Sequence, residues 1–272
     1  MRALAISLVA AAGFHTAAAG QLAAPNAQGV AIGHVHVFTK DVAAQSRFWS
    51  TLGGQIVQRG KLTLAEFPGM YVILQPQDPS GGTVGTTLNH FGFHVRDFEP
   101  SVVRWKGAGL PWEAVTTNPA QGQGFVTGPD GVRVEFYEER SIQAPIAMHH
   151  IHLLVPDPSA AQAWYARYFG ATPGTRLGGV GVVRTRFDTA VVPGAEITLS
   201  KANGPLAPTR GRSIDHIGFE VADIDRFVAR LRDGGLRTDG AVQKSSDMPG
   251  VRIASLTDPW GTRIEITQGL KE

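Results

Sequence analysis

Nine histidines and no cysteine set the chemistry open to this chain. His34, His36, His90, His94, His149, His150, His152 and His216 fall in four short stretches, and only His15 lies apart. Imidazole is a metal ligand when neutral and a proton acceptor near neutral pH. Two imidazoles and a carboxylate, with coordination positions left over, are what a hydrolytic zinc or non-haem iron centre needs. Two glutamates stand in matching places: Glu135 and Glu265 each come four residues after the glycine of a Pro-x-Gly turn, in Gly128-Pro129-Asp130-Gly131 and Asp258-Pro259-Trp260-Gly261. The lack of cysteine excludes disulfides, thiolate metal sites, a cysteine nucleophile and a lipid anchor on cysteine. Any metal must sit on nitrogen and oxygen.

The elements that position these residues repeat. Each histidine stretch is an alternating apolar segment followed by an aspartate: His34 to Asp41, His90 to Asp97, His150 to Asp157 and His216 to Asp223 are all seven residues apart. Alternation predicts a strand, and the aspartate stands where an N-cap opens a helix. Helices are predicted over 42–52, roughly 99–107, 159–169 and 224–231, three of them closed by glycine. Shorter strands follow, at 55–59, 62–67 and 71–75 in the first unit and at 182–187 and 196–200 in the third. The order within a unit is β, α, then about three β, and successive histidines lie 56, 60 and 66 residues apart, so four units fill the chain after its first residues.

A repeated βαβββ unit that starts with an apolar-flanked histidine and closes on Pro-x-Gly-x-x-hydrophobic-Glu resembles the vicinal oxygen chelate superfamily, which includes glyoxalase I, bleomycin and fosfomycin resistance proteins and extradiol dioxygenases. The resemblance covers about residues 30–268. It implies an α+β fold of four βαβββ modules in tandem, pairing into two glyoxalase-like domains whose curved sheets form cups around a metal. The implied organisation is an export signal at 1–24, a first domain at 30–140 (modules at 30–77 and 85–140), a linker at 141–146 and a second domain at 147–268 (modules at 147–201 and 212–268). With modules paired in order, the implied metal ligands are His34, His90 and Glu135 in one cup and His150, His216 and Glu265 in the other. Unit one closing a cup with unit four, or with a second chain, is the other arrangement, and a triad of His34, His216 and Glu265 is equally sound chemically.

Strand alternation turns His36 and His152 to the same faces as His34 and His150, making them candidates for proton transfer. His94, Glu220 and Tyr137 are further candidates on those faces. A fourth glyoxalase-type ligand is expected on the last strand of units one and three, where Ile73 and Thr198 align and Gln75 and Glu196 lie two residues away. The His and Tyr that extradiol enzymes carry before the turn are not met, since Phe125 and Ser255 stand at the Tyr position. The resemblance therefore implies a divalent metal (Fe, Mn or Zn), a small oxygen-chelating substrate, and lyase or isomerase chemistry. The alternatives are a ring-cleaving dioxygenase and a non-catalytic binding or resistance protein. Arg184 and Arg186 are candidate anion ligands, Trp49, Trp105 and Trp164 are expected in the core, and the loop carrying Lys201, Arg210 and Arg212 is a candidate lid.

Composition bounds the partners. With 25 basic against 23 acidic residues, the formal charge of +2 gives no nucleic-acid footprint. Met1-Arg2, an apolar run at 3–14 and the small residues at 17–20 form a Sec-type signal pattern, with cleavage near Ala19 or Ala24. The apolar run is shorter than the roughly 20 residues of a membrane span. The expectation is a periplasmic or secreted protein with no membrane anchor after cleavage, as a monomer or an oligomer.

Overall fold

The computed structural model describes residues 21–115, 122–178 and 185–271. The first twenty residues, which carry most of the expected signal, lie outside the described residues, as does Arg184. Unit one is β1 (Val30–Thr39), α1 (Val42–Leu52), β2 (Gln55–Arg59), β3 (Leu62–Phe67) and β4 (Met70–Pro76). Unit two is β5 (Leu88–Val95), α2 (Phe98–Gly107), β6 (Trp112–Ala114), β7 (Gln123–Thr127) and β8 (Arg133–Glu138). Unit three is β9 (Ile146–Val155), α3 (Pro158–Phe169), β10 (Thr172–Gly178), β11 (Thr185–Val192) and β12 (Ala195–Lys201). Unit four is β13 (Ile214–Val221), α4 (Ile224–Asp233), β14 (Gln243–Lys244), β15 (Arg252–Thr257) and β16 (Arg263–Gln268). No helix among the described residues is long and apolar enough to cross a membrane.

The helix starts follow from their caps. Asp41, Asp157 and Asp223 accept hydrogen bonds from the backbone N–H of Ala44, Ala160 and Arg226, filling a donor that the first turn leaves open. Asp97 makes no such bond and pairs with Arg96 instead. Gly53 and Gly170 close α1 and α3 in the left-handed conformation, at φ 111° and 65°.

The strands form two eight-stranded sheets, ordered β14-β15-β16-β13-β1-β4-β3-β2 and β10-β11-β12-β9-β5-β8-β7-β6. In-order pairing is thereby corrected: unit one shares a sheet with unit four, and unit two with unit three. At the sheet centres β1 runs antiparallel to β13, with His36 opposite His216, and β5 runs antiparallel to β9, with His90 opposite His152. The cause lies in the connections. The linker after β8 is held along β5, with Glu139 N donating to Val95 O and Arg96 N to Pro145 O, which sets β9 beside β5. The segments leading from β4 to β5 and from β12 to β13 cross between the sheets side by side, joined by Ser80 N to Gly211 O (2.7 Å) and Ala207 N to Gly85 O (3.0 Å). The loop expected as a lid is this second crossover; Thr209 within it is fully buried.

One apolar core takes residues from all four helices and both sheets. Trp49 of α1 stacks on Phe91 of β5 at 5.7 Å, and Phe169 of α3 lies 4.4 Å from Phe219 of β13, so each pair of units packs against the other. Trp49 and Trp105 are fully buried there and Trp164 packs at its edge. The helices pack on one face of each sheet, and the clustered histidines lie on the other.

Two candidate metal centres

In the sheet of units one and four, His34, His36, His216 and Glu265 converge, all buried. In the sheet of units two and three, His90, His150, His152 and Glu135 do the same, with His152 partly exposed. Within each group the ligand atoms lie within 4.8 Å of one another. The six ligands expected from the sequence are therefore all present in clusters, but redistributed: His34 joins His216 and Glu265, and His90 joins His150 and Glu135. His36 and His152, expected as proton-transfer groups, stand among the potential donors.

Register explains the convergence. Parallel pairing of β13 with β16 sets Gly218 beside Glu265, and antiparallel pairing sets His34 opposite Gly218. The same pairings set Glu135 beside Gly92 and His150 opposite Gly92. Glycine is required at both positions: a Cβ on Gly92 would stand 2.8 Å from His150 Nδ1, and one on Gly218 would stand 2.5 Å from His34 Nε2. The His-x-Gly spacing of units two and four was visible in the sequence as a signal for this.

The distances suit an ion. His34 Nε2 and His216 Nε2 lie 3.4 and 3.7 Å from Glu265 Oε2. In the other cluster His90 Nε2 and His150 Nε2 lie 2.9 and 3.2 Å from Glu135 Oε2 and 3.3 Å from each other. Ligands about 2.0–2.1 Å from a tetrahedral centre are roughly 3.3 Å apart. Moreover His34 Nδ1 and Nε2, His36 Nδ1 and His216 Nε2 are buried without a hydrogen-bond partner. Orphaned buried nitrogens are costly, and an ion at their centre would satisfy one nitrogen of each ring. The donor set fits zinc, iron or manganese.

Neighbouring groups orient the rings. Asp215 Oδ1 accepts from His216 Nδ1 at 2.6 Å and from Arg263, while Asp215 Oδ2 accepts from the backbone N–H of Gly211. Asn89 Oδ1 does the corresponding work on His90 Nδ1 at 2.9 Å. Such partners fix which nitrogen faces the metal. A polar residue immediately before the histidine in units two and four was their sequence signal. Gln123 donates to Glu135 Oε1 at 2.7 Å and to Tyr137 Oη at 2.9 Å.

Burial pushes the imidazoles of His34, His36 and His152 below their ordinary value, His36 and His152 well below, and takes His90 down to about 4. Burial acts the same way on His216, but Glu265 and Asp215 outweigh it and raise that ring. On Glu135 and Glu265 burial acts upward and the facing histidines prevail, holding both carboxyls below the usual range. His34, His36, His90 and His152 are thus neutral donors at pH 7 beside ionised glutamates.

The remaining sequence candidates separate. His94 stacks on His149 at 3.9 Å, at the edge of the cluster of units two and three, because a bulge in β9 turns His149 to the same side as His150. Tyr137 lies in that cup as expected, its phenol raised by burial and by Glu135. Glu220 is away from the cluster and accepts from Thr267 Oγ1 and from the N–H of Gly269 and Leu270. Glu196 is held by Arg176 at 2.8 Å and by Thr198 at 2.7 Å, not in the donor group, and Ile73 is buried against aliphatic side chains. Arg186 is exposed. Arg176, half-buried in the cup, escaped the sequence reading because β10 carries proline and glycine in place of apolar alternation.

A family model described as Glyoxalase/Bleomycin resistance protein/Dioxygenase superfamily matches residues 31–136 and again 147–266. Glyoxalase I from Zea mays superposes with a TM-score of 0.68 at 16% identity, over 89% of this chain and 93% of that one. A Bacillus subtilis protein provisionally named a dioxygenase superposes with a TM-score of 0.66 at 14% identity, over 88% of this chain and 85% of that one. At these identities the likeness is one of fold. A search of curated proteins gave no match.

Proposed function

The chain belongs to the glyoxalase/bleomycin resistance protein/dioxygenase superfamily, and on that premise we propose that it is an exported, divalent-metal-dependent enzyme of lyase or isomerase type. Its substrate is a small molecule that chelates through two oxygens. The observation that carries the proposal is the convergence of two imidazole Nε2 atoms on a single carboxylate oxygen in each cup. Metal-free sequestering of a ligand would leave these buried donors without a task.

A divalent ion held by His90, His150 and Glu135 would supply Lewis acidity and open positions for paired substrate oxygens. The chain's own groups do the rest. His152, partly exposed and bonded through Nε2 to Ser200 Oγ at 2.7 Å, keeps Nδ1 as the proton acceptor of that cup. Tyr137, protonated at neutral pH, and Gln123 fix the position of Glu135. Phe125 stands edge-on to His90 at 5.1 Å and shields it from water. A proton leaving a carbon beside a polarised carbonyl has a base within the same cup.

The test is metal-dependent exchange. Protein stripped and reloaded with zinc, manganese or iron is incubated with α-hydroxy carbonyl compounds in heavy water. Deuterium should enter the carbon next to the carbonyl with loaded protein, not with stripped protein or the His152→Ala variant. Oxygen uptake on aromatic diols by iron-loaded protein, without exchange, would replace the lyase or isomerase reading by the dioxygenase one.

Export is part of the proposal and is supported by the amino-terminal pattern. Leu22 is buried and Gln21 O accepts from Gly69 N, so cleavage at Ala19 keeps both contacts and cleavage at Ala24 discards them. Amino-terminal sequencing of protein recovered from outside the cytoplasm should begin at Gly20; an uncleaved Met1 would contradict export by this signal.

A further inference from the structure

The two cups carry matching donors but differ in how they are filled, and we infer that the cup of His34, His36, His216 and Glu265 is a closed structural metal site, while substrate enters only the cup of His90, His150 and Glu135. The inference rests on the metal-binding part of the proposed function. Corresponding strand positions show the contrast. Ile73 stands beside His36, where Thr198 stands beside His152. Leu64, opposite Ile73, corresponds to Thr189, opposite Thr198. Ile253, opposite Thr267, corresponds to Gln123, opposite Tyr137. At these three places one lining is aliphatic and the other polar; opposite the glutamates the order reverses, with Ser255 facing Glu265 and Phe125 facing Glu135.

The aliphatic cup is also filled. Leu62, Leu64, Tyr71, Ile73, Met248 and Val251 form a second apolar cluster, separate from the main core. Leu22 and Leu270, from the two ends of the described chain, complete it, and Leu270 is fully buried. The carboxyl-terminal segment is fastened at three points. Glu220 accepts from Gly269 N and Leu270 N at 3.0 and 3.1 Å, Arg59 donates to Leu270 O at 2.6 Å, and Lys271 reaches Ala23 O at 3.1 Å. In the polar cup the corresponding places hold His94 and Arg176, neither of which binds a crossing segment among the described residues. After β8 the chain leads to β9 instead of folding back.

Each cluster offers four donors, and the fourth differs in its setting. His36 offers a buried Nδ1 with no partner, which with His34, His216 and Glu265 makes four protein ligands. Four ligands with no open position characterise structural zinc sites, and three with an open position characterise catalytic ones. His152, the counterpart of His36, has its Nε2 committed to Ser200 and is partly exposed.

Cobalt(II) release tests the inference, with cobalt alone as the probe. Metal-free full-length protein should take up two ions per chain; on adding excess chelator, one should leave roughly tenfold or more slowly than the other, with the intense visible absorption of a four-coordinate ion. The slow phase should vanish in His216→Ala and persist in His90→Ala. Leu270→Ala, which leaves every donor in place, should speed the slow phase and not the fast one. Two ions released at one rate, or a slow phase that survives His216→Ala, would overturn the assignment while leaving metal binding intact. No cobalt uptake at all would overturn metal binding and the assignment together.

Discussion

Replacing Gly92 by alanine should cost the cup of units two and three its metal affinity while leaving the other cup alone. Gly92 has no positive φ, so the backbone accepts alanine, and a methyl group in a strand would ordinarily stabilise by about 0.5–1 kcal/mol. The obstacle is His150. The new Cβ would stand 2.8 Å from its Nδ1, closer still to Cε1, and 3.0 Å from Glu135 O, where ordinary contact begins at 3.4 Å. Because Cε1 is the nearest atom, the ring must retreat by roughly 1 Å, against a tolerance of about 0.2 Å in metal–ligand distances. It has little room, being fully buried and held by His149 at 3.0 Å and Glu135 at 3.2 Å. Overpacking of this kind costs about 1–3 kcal/mol, which as lost affinity is roughly 5- to 150-fold. Titration with zinc against a chromophoric chelator measures it, and Gly218→Ala should show the mirror result through His34. A Gly92→Ala protein that binds both ions as tightly as the parent would refute the reasoning, as would equal losses at both cups.

Three further outcomes follow from the same geometry. Metal-free protein should lose stability as pH falls from about 6.5 toward 4. His90 of the unfolded chain takes up its proton near 6.5 and the folded chain only near 4, so the unfolded state binds more protons in that window, worth about 3 kcal/mol in full. Urea midpoints that match at pH 7 and pH 4.5 would contradict this. Asp215→Ala removes a carboxylate that binds His216, Arg263 and Gly211 N; it should lower stability by about 3–5 kcal/mol and weaken metal at the cup of units one and four roughly ten- to hundredfold, and unchanged chelator competition there would count against it. Trp49→Ala, in the core between the two pairs of units, should cost about 3–5 kcal/mol in denaturant melts with the metal count unaltered, so a change in stoichiometry would mean the core and cups are coupled.

The local physics of the chain is legible in its sequence, and the long-range physics is not. Asp41, Asp157 and Asp223 cap helices where their spacing places them, and only Asp97 departs, drawn off by Arg96. The His, His and Glu donors are legible because four copies repeat them. Which copies meet is not, since every first strand carries the same alternation. The choice is made by hydrogen bonds of the linker to β5 and between the two crossovers. Simple alternation also fails at the bulge in β9, which brings His149 round beside His150 and leaves Tyr137 near both. The contrast between the cups was present in Leu64 and Ile73 against Thr189 and Thr198, but it acquires meaning only once the register sets each beside its histidine.

The central claim is that one metal centre is built by units one and four and the other by units two and three, and metal stoichiometry of paired variants tests it most directly. Fully loaded wild-type protein should hold two ions per chain, His34→Ala with His216→Ala should hold one, and His34→Ala with His90→Ala should hold none. Two ions lost from the first pair with one retained in the second would contradict the account, because it would put His34 and His90 at the same centre.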